Sequence, residues 1–521
     1  MSLSTQITGE FRCLSASSLA DRPERCAIGT GVLLAGISAL CALVGRMGFF
    51  GRPFGDDPAI FIYMGKFVSE GGRLYQGLFD TKPPGVAMLM SGLWHLLGAW
   101  WVGYVILQML LSALAAWGIG MAAGRAIGPQ AQRPTTLFAA VYLNFYLFVF
   151  SGFQLETLLA AFSILAAVAA LGSIQRTSHL LDLLVGLSAG CAAMIKPGAA
   201  AVAGAYLLTT MIRPSGETYR WWKQALWVGL GLAIPAAVVL WWCWEKQIIN
   251  SLPMVWHEIQ LYSQQTPLGW PFWIKLPLLG VVFGFPLVLR QVTYRKPAQQ
   301  EVNPNRSTLW VFAILWLGLE LVGVVLQRRM YLYYFLVLVP PMALIYGLLP
   351  RPDRLMPTLA GLLPAMLIST WMSIHSTRAL SNGIPTLSAS RYLIEHTRPQ
   401  DAIWGEPMAR LLLETNRPAG ARFATAWYFA NHDLAPRIFL NQLLEDWNRT
   451  RPLYIVLPAN QKQWVHDVTE MVPALSMRPV RKQNFLWAWG KVDEYLDRHY
   501  KLETTIDGQH LYRRTNVVNI R

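Results

Sequence analysis

The hydrophobic positions of this chain fall in long unbroken blocks, not in the alternations or one-sided stripes of a soluble protein. A helix needs roughly 20 apolar residues to cross the hydrocarbon of a bilayer. Blocks near that length lie at about 27–45, 100–122, 134–151, 155–174, 179–195, 197–212, 224–244, 274–290, 308–326, 331–349 and 355–374, which predicts about eleven membrane spans. A further block, 83–98 (PPGVAMLMSGLWHLLG), is shorter. One block carries its own ruler. Trp222 and Trp242 stand 20 residues apart, about 30 Å of helix, with an aromatic ring for each interface.

Charge between the blocks orients them. If 83–98 lies along the membrane surface, five short basic loops fall on the N-terminal side. They hold Arg125 and Arg133; Arg176; Arg213, Arg220 and Lys223; Arg290, Arg295, Lys296 and Arg306; and Arg351 and Arg354. Short basic loops stay in the cytoplasm, so that side is cytoplasmic and 83–98 is a re-entrant or interfacial helix. The Gly55–Gly85 loop, the 151–155 turn, the 245–273 loop and everything beyond about 375 then lie outside.

The pattern changes after residue 375. Residues 376–521 hold 19 Lys+Arg and 14 Asp+Glu. Short strand-like runs (Ala402–Trp404, Leu453–Leu457, Phe485–Trp489) alternate with helix-like stretches (Arg437–Trp447, Gln461–Met471), which predicts a small extracytoplasmic α/β domain. The expected fold is therefore mainly α. A tail (1–26) leads into a polytopic helical domain (27–375), in which 55–98 forms an outer loop, and 376–521 follows as the α/β domain. No Gly-rich phosphate loop, internal repeat or low-complexity tract is present.

Composition agrees with this organisation. Of 521 residues, 54% are hydrophobic and 14% charged, against about 25% charged in soluble proteins. Mean hydropathy is +0.34. A net charge of +15 would otherwise suggest nucleic acid, but most of the surplus sits in the short loops, so the expected partner is the lipid bilayer and not a nucleic acid. None of the five cysteines (Cys13, Cys26, Cys41, Cys191, Cys243) has metal spacing and none lies beyond Cys243, which argues against a disulfide framework. Arg12, Arg22 and Arg25 precede the first span without a small-residue cleavage site, the pattern of an uncleaved anchor.

Candidate chemistry concentrates in Gly55–Gly85, GDDPAIFIYMGKFVSEGGRLYQGLFDTKPPG, which places Asp56, Asp57, Asp80 and Lys82 just past the first span. Carboxylates so close to a bilayer are costly. Gly-Asp-Asp-Pro suits a helix start, with one acid as cap and Pro58 in the first turn. Two adjacent acids exceed that need, and one could act as general base toward a hydroxyl or hold a divalent cation such as Mg or Mn. Asp80 and Lys82 either shape a turn into the interfacial helix or face the same cavity as Asp56. Glu156, at the outer end of its span, either complements the helix dipole or adds a second acid at that depth. Lys196, Arg328 and Arg329 run against the charge rule for an outer face. Each would be explained by a phosphate anion, or by snorkelling toward headgroups. Glu320 lies inside a span without an assigned role, and His257 and Glu258, in the outer 245–273 loop, are candidates to line the cavity.

The order of these features is that of a known family. An uncharged first span is followed by the acidic pair, Gly-Gly-x-x-Tyr (Gly71–Tyr75) and Asp-x-Lys-Pro-Pro-Gly (Asp80–Gly85). This resembles the bacterial GT-C glycosyltransferases of the protein O-mannosyltransferase and aminoarabinose-transferase type. Gly186–Lys196, with its spaced glycines, and Arg329–Pro341 (RMYLYYFLVLVPP) agree with it. The resemblance covers roughly 27–375. It implies a sugar donor on a polyprenyl phosphate, reaction on the outer face of the bacterial inner membrane, and an acid after the first span as base, which by position is Asp56 with Asp57 beside it. Tyr333 stands where relatives often carry His, and many relatives have Glu at the position of Asp57. A lipid, glycan or protein hydroxyl would be the acceptor, and one base without a covalent nucleophile implies inversion. The rival expectation is a transporter or flippase of lipid-linked sugars, but the sequence lacks the repeated halves common there. A third is a non-enzymatic assembly protein acting through its outer domain.

Overall fold

The computed structural model describes residues 23–50, 56–149, 152–212, 221–264, 270–292, 305–328, 331–349, 355–378, 387–406, 408–460, 465 and 478–515. Arg329, most of the expected helix at Gln461–Met471, most of the N-terminal tail and the side chain of Asp56 lie outside the described residues.

Seven helices are long and apolar enough to cross a membrane: Gly29–Phe49, Trp101–Ala126, Leu155–Gln175, Trp221–Glu245, Trp273–Val292, Arg306–Leu326 and Thr358–Ser376. Each coincides with a predicted span, and together they give the architecture of a multi-pass membrane protein. Of the other four predicted spans, three are shorter apolar helices. The 179–195 and 197–212 pair breaks at Lys196–Pro197, where an extended lysine meets a residue that cannot donate to a helix. At 331–349, a 3-10 turn over Leu332–Leu338 precedes a short helix that opens on Val339, Pro340 and Pro341. At 134–151 the helix stops at Tyr142, and Asn144 turns inward to meet Arg46. The 83–98 block is a 14-residue helix, about 21 Å long and short for the hydrocarbon.

The helices used below are, in chain order, α1 (Pro23–Arg46), α2 (Asp56–Ser69), α3 (Pro84–Leu97), α4 (Trp101–Ala126), α5 (Pro129–Tyr142), α6 (Leu155–Gln175), α7 (His179–Ile195), α8 (Ala201–Ile212), α9 (Trp221–Glu245), α10 (Leu252–Gln264), α11 (Trp270–Val292), α12 (Arg306–Leu326), α13 (Val339–Leu348) and α14 (Leu355–Arg378). α7 lies tight against α9 because glycines remove the side chains at the crossing. A Cβ on Gly186 would strike the Val228 carbonyl, and one on Gly231 the Leu183 carbonyl. Small residues at such crossings let backbones approach where lipid supplies no hydrophobic drive.

The C-terminal region contains α15 (Ser388–His396), α16 (Met408–Thr415), α17 (Ala435–Thr450) and α18 (Pro479–His499) around four strands, β1 (Ile403–Gly405), β2 (Tyr454–Pro458), β3 (Tyr500–Ile506) and β4 (Gln509–Arg514). The sheet order is β1-β2-β4-β3. β1 and β2 are parallel, and the other two pairs are antiparallel. The expected strand at Phe485–Trp489 is instead part of α18. Phe485, Trp487 and Trp489 alternate, but Trp487 and Leu486 are exposed, while Phe485, Ala488, Trp489, Val492 and Leu496 are buried at helical spacing.

Candidate functional site

A cavity of about 490 Å³ opens where the ends of several helices converge. Its wall takes Asp57 and Phe61 from the start of α2, Thr81, Lys82 and Pro83 from the loop that follows, and Gln154–Glu156 from the start of α6. Ile195–Gly198 come from the end of α7, Trp256, Ile259, Gln260 and Tyr262 from α10, and Gly323, Leu326 and Gln327 from the end of α12. Tyr333 and Tyr334 complete it. Most of this surface is hydrocarbon or aromatic, and the charges are few: Asp57, Lys82, Glu156 and Lys196.

Local structure explains how each charge is held. Asp57 belongs to the first turn of α2, where unpaired backbone N–H groups favour an anion. Its Oδ2 accepts from the Tyr333 hydroxyl at 3.4 Å. Asp57 is exposed by surface area and faces the cavity, with protein crowded around it. Burial raises its pKa above the ordinary carboxylate value; Lys82 opposes this, Asp80 adds to it, and the Tyr333 hydrogen bond opposes it.

Lys82 is held by its main chain at both ends. Its N–H donates to Asp80 Oδ1 at 2.8 Å, the short-range turn typical of aspartate. Its carbonyl accepts from the Tyr75 hydroxyl at 2.7 Å. Tyr75 has φ +68°, a left-handed conformation that non-glycine residues seldom adopt. The Lys82 ammonium stands 5.7 Å from the Phe61 ring centroid. Burial alone would lower its pKa, but Asp80, Tyr262, Asp57 and Glu156 outweigh that and push it up, so it stays charged. Asp80 itself is 2% exposed and lies behind the cavity wall.

Glu156, in the first turn of α6, and Lys196, just past the end of α7, form an ion pair, Nζ to Oε1 3.2 Å, and the Lys196 ammonium sits 3.6 Å from the Tyr334 ring centroid. Two residues fix the start of α6. Gln108 Nε2 donates to the Gln154 carbonyl at 3.0 Å, and Arg46 Nη2 donates to Thr157 Oγ1 at 3.0 Å. A narrow extension of the cavity runs past Lys196 and Gln327 to Glu320, which accepts from Trp316 Nε1 at 3.2 Å.

The structure thus gathers Asp57, Lys82, Glu156, Lys196 and Tyr333 on one cavity and sets Asp80 against its back. Arg328 is exposed, with φ +56°, and is not part of the wall. His257 is exposed, while Glu258 turns to His432 of the C-terminal region. Among the described residues no group of three or more His, Cys, Asp or Glu side chains is placed to hold a metal ion. Tyr334, Gln154, Trp256, Gln260 and Tyr262 carry no signal in the sequence that separates them from an ordinary span or loop.

The C-terminal region closes over this end. Phe79, one residue before Asp80, donates its N–H to the Arg422 carbonyl at 2.7 Å, and its ring meets Phe423, Tyr428 and Phe439. The Tyr428 hydroxyl donates to Asp80 Oδ2 at 2.8 Å. His432 Nε2 and Glu258 Oε2 are 2.9 Å apart, and Lys66 donates to Asn416.

Neither a protein-family model nor a curated protein matches this chain. Solved structures do. The apo oligosaccharyltransferase of Archaeoglobus fulgidus aligns over 94% of this chain and 75% of its own, with TM-score 0.42 and 11% identity. The crystal structure of ArnT from Cupriavidus metallidurans bound to undecaprenyl phosphate aligns over 94% of this chain and 99% of its own, with TM-score 0.58 and 14% identity. The chain therefore has the fold of ArnT: a GT-C-like bundle of membrane helices with a small C-terminal α/β domain.

Proposed function

We propose that this protein is a membrane glycosyltransferase that moves a sugar from a polyprenyl-phosphate carrier to a hydroxyl of an extracytoplasmic lipid, glycan or protein. The observation that carries the reading is the placement of two carboxylates, Asp57 and Glu156, and two ammonium groups, Lys82 and Lys196, on a single mostly apolar cavity, with Glu156 engaged by Lys196 and Asp57 left facing the cavity near Lys82. Apolar walls suit a prenyl chain, and the cations suit its phosphate. The fold is that of a protein crystallised with undecaprenyl phosphate.

In the reaction, the acceptor oxygen attacks the anomeric carbon as the bond from that carbon to the phosphate oxygen breaks. The acceptor proton passes to Asp57, and the phosphate leaves with the bonding electrons. A phosphate is already a good leaving group, so it needs charge stabilisation more than protonation, which Lys82 and Lys196 supply electrostatically. A hydroxyl is a weak nucleophile and needs a base. The raised pKa of Asp57 makes it a stronger base than a free carboxylate in water. The resemblance gives Asp56 this task by position; Asp57 takes it here because its carboxylate lines the cavity together with Lys82. A single displacement inverts the anomeric centre. The N-terminus lies in the cytoplasm and the cavity opens on the outer face of the inner membrane.

The test is incubation of the purified chain in lipid nanodiscs with a panel of radiolabelled polyprenyl-phosphate sugars and an envelope extract as acceptor source. Transfer of label, with release of polyprenyl phosphate, is the expected result. Movement of intact donor across the bilayer without cleavage would establish a flippase instead.

A further inference from the structure

We infer that Tyr428, on the C-terminal domain, is a positioning residue for the cavity, setting the place of Lys82 through the Asp80 carboxylate. The inference rests on the role given to Lys82 under the proposed function.

Both oxygens of Asp80 are used. Oδ2 accepts from the Tyr428 hydroxyl at 2.8 Å and Oδ1 accepts from the Lys82 N–H at 2.8 Å. The two bonds fix the carboxylate rotamer from opposite partners, one on each domain. Asp80 is 2% and Tyr428 8% exposed, so water is a poor substitute for either partner. A buried carboxylate that loses a donor must find another or rotate. Rotation would release the Lys82 N–H and with it one of the two main-chain ties that aim the ammonium at the cavity. Asp80 also contributes the largest of the charge interactions that keep Lys82 protonated.

The surroundings match a built contact. Phe79, next to Asp80, is pinned by a backbone hydrogen bond to Arg422 and by the rings of Phe423, Tyr428 and Phe439. Tyr428 stays a donor at any working pH, because burial first and the Asp80 charge second hold its pKa well above the ordinary tyrosine value. A tether that served only to dock the domain would not need a phenol ending on the acid that carries the next turn of the site.

The experiment measures binding of a polyprenyl monophosphate, without sugar, to the full-length chain in nanodiscs. Four proteins are compared: wild type, Tyr428→Phe, Lys82→Ala and the double variant. Tyr428→Phe should weaken binding roughly tenfold, the scale of a lost hydrogen bond to a charged group, and should add nothing once Lys82 is alanine. An equal loss in both backgrounds would make Tyr428 merely structural and overturn the inference, as would no loss in either. If Tyr428→Phe does not fold, Asp80→Asn replaces it, with the same pattern expected and the same outcomes fatal. Wild type that binds the phosphate but transfers no sugar would sink the glycosyltransferase reading and leave the relay standing. Equal binding by wild type and Lys82→Ala, or none by wild type, would sink the relay.

Discussion

At the scale of single residues, the first group to test is Asp57, the proposed base. Asp57→Asn keeps the size of the side chain and an acceptor for Tyr333 but removes the proton acceptor. Turnover should fall by about 10²–10⁴, the usual worth of general-base catalysis, while donor affinity, which the proposed reaction assigns to the cations, should change little. Asp56→Asn should cost less. Steady-state kinetics on the two variants decides the assignment, and a larger loss from Asp56→Asn would transfer the role to it. The pH profile gives a second check. A base works deprotonated, and burial raises the Asp57 pKa, so the inactive protonated form persists to higher pH than for a free carboxylate of about 3.9. The acid limb of kcat/KM should therefore lie above that value, and should vanish from the residual activity of Asp57→Asn. A limb at the free-carboxylate value in wild type would place the base in open water. Asp57 and Lys82 were legible in the sequence because charge beside a bilayer is conspicuous. Tyr334 was not: in YLYYFLVL it reads as one more ring of an apolar block, and only the fold brings it under the Lys196 ammonium.

At the scale of elements, the sequence specifies the spans where length and hydropathy decide, as in α4, α6, α9 and α12. It does not specify a break that depends on a contact distant in sequence, as at Asn144, and in α18 an alternation of aromatics imitates a strand. The spaced glycines of Gly186–Lys196 have a plain physical reading in the structure. Gly186 and Gly190 let α7 settle against α9, and α7 ends by presenting Lys196 to the cavity. A side chain at Gly186 meets backbone, which cannot yield as a flexible side chain would. Gly186→Val should therefore cost about 1–3 kcal/mol by overpacking and lower the melting temperature in detergent. Gly229→Val, on the same helix pair but with open space around its Cβ, should not. Equal melting of the two variants would mean that the crossing can open without cost. Because α7 carries Lys196, the Gly186 variant should also lose donor affinity in whatever fraction remains folded.

At the scale of the whole molecule, the charge rule and the packing of the two domains make a joint claim. The rule puts the five basic loops in the cytoplasm and the Gly55–Gly85 loop outside. The structure, without reference to a membrane, draws Asp57, Lys82, Glu156 and Lys196 to one end of the bundle and seats the C-terminal domain there through Tyr428–Asp80 and His432–Glu258. The cavity and the C-terminal domain therefore share a side, and one measurement locates both. A reporter that is active only when exported, fused after Arg521, should be active. A reporter that works only in the cytoplasm, fused at the same place, should be silent. The reverse pair of results would invert the bundle, set the short basic loops against the rule, and put the cavity where an extracytoplasmic acceptor never reaches it. The proposed reaction would then fail along with the topology.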